Sequence, residues 1–146
     1  MLILSQRDTK WSNVKLGKSQ QTVGKVGCVT TDISMGTSYF GTYFDPGVLA
    51  SKKLEYTLGG LILWQSVKNI GLKFVWRAYP SNFKQSEIDE ALKNPKRICL
   101  LTVDAGSHWV LGISRVPFTT KYIVADPWSG SRKIYGGVIG YSIIEK

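Results

Sequence analysis

The chain has 146 residues, 43% of them hydrophobic and five of them tryptophan, which suits one globular domain over residues 1–146 and excludes a second. Nineteen Lys and Arg against ten Asp and Glu give a formal charge of +9, with seven basic and three acidic groups in residues 1–53 and twelve and seven in residues 54–146. A positive charge spread in this way favours weak contact with anionic polymers, and with no finger, zipper or RNA-recognition signature it excludes specific nucleic-acid recognition.

In chain order, residues 2–5 read as a short strand or extended arm, and residues 6–27 as an irregular surface loop anchored by Trp11 and Leu16. In Val26-Gly27-Cys28-Val29-Thr30-Thr31-Asp32-Ile33-Ser34-Met35 the apolar residues recur at roughly helical spacing, which puts Cys28 at a helix N-terminus. Unpaired N–H groups and the helix dipole there favour a thiolate, and Gly27 is expected to leave room for an approaching group. Residues 40–44 form a loop, and Asp45-Pro46 has the form of an N-cap and first helical residue for a short helix to about Lys53. A further helix is expected over residues 59–69, with Leu61, Ile62, Trp64 and Val67 on its apolar face and Gly71 as its C-cap.

Residues 72–76 are a strand candidate, and Ser86-Glu87-Ile88-Asp89 resembles a capping box opening a helix that Asn94-Pro95 ends. Strands follow over residues 97–103, 108–114, 121–125 and 131–135, with one more after Gly136-Gly137. Helices first and an antiparallel sheet second make an α+β fold with a groove between the two layers.

Chemistry-bearing residues are few. His108 is the single histidine and opens the strand His108-Trp109-Val110-Leu111. Asp126 closes the next, and the Pro117-containing hairpin loop between them can bring both side chains together. Cys28, His108 and Asp126 then form a thiol-hydrolase triad of nucleophile, base and orienter, with Asp104 as the rival orienter. Cys99, in Arg97-Ile98-Cys99-Leu100-Leu101, reads as a small buried hydrophobe. One histidine and two distant cysteines match no familiar metal spacing, so neither metal nor cofactor is expected, and two cysteines are too sparse to imply a disulfide framework.

The chain resembles the papain-like cysteine peptidases of the bacteriocin-leader-processing type. The resemblance rests on Gln6-Arg7-Asp8 with Trp11, Gly17, Thr22-Val23-Gly24, Gly27-Cys28, Thr31 and Met35, then on residues 86–92, His108-Trp109-Val110 and Asp126-Pro127-Trp128-Ser129-Gly130. It implies a papain-like fold, a Cys28–His108–Asp126 triad in preference to Asp104, and a glutamine upstream of the cysteine that donates to the oxyanion. By motif that glutamine is Gln6, with Gln21 as the alternative. The implied activity is hydrolysis of amide bonds in a peptide or protein substrate, including peptidoglycan cross-bridges. The competing expectation is an inactive domain of the same fold acting as a binding or structural component of a larger assembly, such as a phage virion.

The longest apolar run, residues 58–64, holds two glycines and is too short for a bilayer, so no membrane span is expected. Residues 1–4 are apolar but lack the long core of a signal peptide, so cytoplasmic synthesis is expected, with a phage particle or release on lysis open as final locations.

Overall fold

A computed structural model describes residues 1–146. Six strands, β1 (Lys73–Ala78), β2 (Arg97–Val103), β3 (His108–Arg115), β4 (Tyr122–Asp126), β5 (Ser131–Tyr135) and β6 (Gly140–Glu145), form one open sheet in the order β1-β6-β2-β3-β4-β5. Every neighbouring pair is antiparallel. The fold is therefore α+β.

Helices cover both faces. On one lie α1 (Val23–Val26), α2 (Cys28–Tyr39), α3 (Pro46–Val48) with a π-turn from Leu49 to Lys53, and a 3-10 segment over Trp64–Ile70; on the other lies α4 (Gln85–Lys93). The continuous apolar run of β2 follows from this two-sided cover. Ile98 and Leu100 join Ile33, Met35, Leu111 and Ile144 in the core under α2, while Cys99, Leu101 and Val103 join Ile88, Ala91, Val110 and Tyr122 in the core under α4. No helix is long and apolar enough to cross a membrane.

Several expected elements take a different form. Residues 2–5 make no strand; they run along α2, where the Leu2 N–H donates to Ser38 Oγ (2.8 Å), and the Gln6 N–H then reaches the Pro127 carbonyl (2.7 Å). The loop to Gly27 is anchored as expected by buried Trp11 and Leu16, and it also contains the single turn α1. The helix expected over residues 59–69 survives only as the 3-10 segment. Gly59 and Gly60 each disfavour a helix by about 1 kcal/mol relative to alanine. Thr57 instead turns the chain, accepting the Gly60 N–H on its carbonyl (2.9 Å) with Gly60 at φ +86°. Leu61 is consequently 72% exposed rather than on a buried face, whereas Val67 is buried and Gly71 closes the segment in the left-handed region.

The capping box at residues 86–89 does not form, because α4 starts at Gln85 with Lys84 before it. Its acidic residues instead tie α4 to the sheet. Asp89 pairs with Arg115 (2.7 Å) and accepts from the Tyr122 hydroxyl (2.9 Å), and Glu87 accepts from the Tyr141 hydroxyl. The last strand begins at Gly140 and inserts between β1 and β2, so the connection from β5 carries the chain back across the sheet.

Candidate active site

Cys28 is the first residue of α2, behind Gly27 in the N-cap position. Gly27 has a different role from the one expected. A Cβ on it would lie 2.5 Å from the Val23 carbonyl oxygen and 2.6 Å from Val23 Cα, so the missing side chain lets Gly27 close the α1 turn against its own first residue before α2 begins. Gly27→Ala must open that turn and displace Cys28. The expected outcome is a lower Tm together with a loss of Cys28-dependent chemistry, checked by thermal unfolding and thiol alkylation of the same sample. Unchanged values of both would remove this close approach as the reason for glycine.

His108 opens β3 and Asp126 closes β4, so the antiparallel pairing puts both at one end of the sheet. His108 Nε2 lies 2.7 Å from Asp126 Oδ1. Asp126 is 1% exposed and also accepts the Trp128 N–H (2.9 Å), the Tyr135 hydroxyl (3.3 Å) and Lys133 Nζ (3.2 Å). Burial acts to raise its carboxyl, but the His108, Trp128 and Lys133 donors outweigh that and hold it below the usual carboxylate value. Asp104 takes no part in this pair. It lies exposed in the turn Asp104–Gly106, where its carbonyl accepts from Ser107.

A cavity of about 540 Å³ brings the pieces together, with Gln6, Cys28, His108, Trp109 and Trp128 on its wall. Gln6 is 2% exposed, and its Nε2 lies 3.4 Å from the Val23 carbonyl and 3.2 Å from that of Gly24. Both contacts are at the long end of the hydrogen-bond range, and Gln6 Oε1 is buried without a partner. Gln21 is exposed, lies off the cavity wall and uses its backbone carbonyl to hold Leu16 (2.9 Å). Trp128 stands at the cavity with the Arg7 guanidinium 4.4 Å above its ring.

The thiol itself departs from expectation. Burial first, and the Asp32 carboxylate second, push Cys28 up to about 11, against the pull of the Trp109, Val29 and Cys28 N–H groups. A helix N-terminus stabilises an anion by about 0.3–1 kcal/mol, which the loss of water around a buried sulfur exceeds. Cys99 is fully buried, and both cysteines are free. No group of three or more His, Cys, Asp and Glu side chains is arranged to hold a metal ion.

No protein-family model matches the chain, and no curated protein does. The local chemistry is therefore the ground for any assignment. Two residues missed in the sequence belong to this region. Asp32 lies one helical turn beyond Cys28, fully buried with both carboxylate oxygens unpartnered, and Arg77 of β1 lies on the cavity wall. Asp32 was legible as the i+4 neighbour of Cys28 on one helix face; Arg77 carried no signal beyond a charge in a strand.

Proposed function

We propose that this chain is a papain-like cysteine peptidase that hydrolyses amide bonds in peptides or in peptidoglycan cross-bridges. The observation that carries this reading is that Cys28 and His108, the latter paired with Asp126, line one cavity. Because Nε2 is held by Asp126, Nδ1 is the ring nitrogen left for the thiol. The proton of Cys28 passes to Nδ1 as the sulfur attacks the carbonyl carbon, so the nucleophile is formed during attack rather than stored as an anion. The oxyanion accepts hydrogen bonds from the Cys28 backbone N–H and from Gln6 Nε2. Collapse breaks the C–N bond, His108 returns the proton to the leaving amine, and a water deprotonated by His108 then cleaves the thioester. Asp126 fixes the tautomer and stabilises the imidazolium.

The resemblance through Gln6, Gly27-Cys28, His108-Trp109 and Asp126-Pro127-Trp128 supports the same reading. A second reading, a binding or structural domain without turnover, is favoured by the raised Cys28 thiol above the buried Asp32. One experiment separates them: iodoacetamide labelling of both cysteines followed by mass spectrometry from pH 4 to 9, in the parent chain and in His108→Ala. A base beside the sulfur predicts that Cys28 reacts at neutral pH, that the reaction slows without the imidazole, and that Cys99 stays unlabelled while the fold persists. Labelling of Cys28 that stays slow up to pH 9 and ignores His108 leaves the binding reading in place.

A further inference from the structure

We propose that Arg77 forms a carboxylate-binding subsite in the cavity beside Cys28 and His108, so that the preferred substrate is a peptide carrying a carboxylate near the cleaved bond. The proposal rests on the peptidase reading for its substrate, but its geometry stands apart from the triad. The Arg77 guanidinium carbon lies 4.5 Å from the centroid of the Tyr79 ring, 5.2 Å from that of Trp109 and 5.8 Å from that of Trp64. Trp64 is in turn stacked on Phe74 at 5.7 Å and tilted on Trp109 at 5.4 Å, which fixes the aromatic walls.

Aromatic faces cover the flat sides of a guanidinium and leave its edge, where the N–H donors point. That edge has no partner within the chain. Arg97 pairs with Glu145, Arg115 with Asp89, and Arg7 donates to the Trp128 carbonyl, whereas Arg77 makes no hydrogen bond or ion pair and its Nε is buried unsatisfied. A charged group left without an acceptor is costly, and Arg77, on the cavity wall, is free to take one from a ligand.

The cavity has matching charge. Its wall carries Lys25 and Arg77 and no Asp or Glu. A planar carboxylate meets the arginine edge through two parallel hydrogen bonds, which gives orientation as well as attraction. Such a carboxylate comes either from an acidic side chain of the substrate or from a free α-carboxyl terminus.

The test uses matched peptide pools. One pair differs by Glu against Gln at each position around a fluorogenic amide, and the other by a free against an amidated C-terminus. Cleavage rates are measured with the full chain, and binding of the same pools is followed by tryptophan fluorescence in Cys28→Ala, with Arg77→Met and Arg77→Lys examined in both backgrounds. Thermal melts identify any variant that fails to fold, and Arg77→Lys keeps the charge while removing the paired donors. The expected result is a preference of roughly 10- to 100-fold for the carboxylate member of one pair, the size of a charge-assisted hydrogen bond, falling towards unity in Arg77→Met and only partly restored by lysine. Which pair responds identifies the source of the carboxylate. Cleavage without acid preference overturns the subsite and leaves the peptidase reading intact. Acid-selective, Arg77-dependent binding without cleavage by any pool supports the subsite and counts against the peptidase. The absence of both cleavage and acid-selective binding overturns the subsite.

Discussion

Cys28→Ala will abolish peptide hydrolysis, and His108→Ala will lower kcat/KM by about 10⁴-fold or more, while Asp126→Asn costs up to roughly 10⁴-fold by releasing the imidazole from its tautomer. The three losses will not add. Once the sulfur is gone there is no proton for His108 to take, so Cys28→Ala/His108→Ala will be no slower than Cys28→Ala alone. Asp126 differs from the other two because Lys133, Tyr135 and the Trp128 N–H also depend on it, so Asp126→Asn will lower Tm as well as turnover. Steady-state rates on a cleaved peptide from the matched pools, set beside thermal melts of the same four proteins, check these statements. Hydrolysis that survives Cys28→Ala would overturn the nucleophile assignment outright.

The strands were easier to read from the sequence than their order in the sheet. A near-continuous apolar run marked Arg97–Val103, which is buried on both faces, and turn residues on either side bounded Ser131–Tyr135, which is an exposed edge strand. Nothing local could say that Gly140–Glu145 pairs with both Lys73–Ala78 and Arg97–Val103, since that depends on contacts far apart in the chain. The helix expected over residues 59–69 is reduced to a 3-10 segment because the Gly-Gly pair ahead of Leu61, Ile62, Trp64 and Val67 turns the chain first. Asp89 was legible as an acidic residue near a helix start, but its use as an acceptor for Tyr122 requires the face of the sheet that α4 covers.

The site divides in the same way. Cys28, His108 and Asp126 stood out because each lies at a break between elements, where glycine, proline or turn residues flag the position, whereas Gln6 was picked out only by the resemblance. Arg77 sits inside a strand, and its role emerges only when Trp64 and Trp109, thirteen residues before it and thirty-two after, close on it. The thiol's chemistry was misjudged because the helix end is visible in the sequence, while burial and the neighbouring Asp32 belong to the packed state.

Asp32 leads to the second large effect, a fold that weakens as pH rises from the acid range. Its side chain is fully buried with neither oxygen bonded, and burial first, then the Asp126 carboxylate, raise its pKa well above the usual carboxylate range. The folded chain therefore keeps this proton at a pH where the unfolded chain has released it. Between the unfolded and folded pKa values the native state binds more protons, and stability falls as pH rises, by up to about 1.4 kcal/mol per pH unit. Asp126 acts with the opposite sign. Its lowered pKa contributes stability above the unfolded carboxylate value, and that contribution is lost as pH falls through the folded value. Asp32→Asn removes the first contribution and keeps the second. The variant will gain on the parent chain steadily from about pH 4 upwards, and the two curves will converge in acid, as denaturant unfolding across pH 3–9 can measure. Parallel curves would mean that Asp32 ionises normally in the fold. The same substitution takes a like charge away from Cys28, so alkylation of the thiol at alkaline pH will be faster in Asp32→Asn than in the parent, which ties the stability of α2 to the reactivity of the residue that begins it.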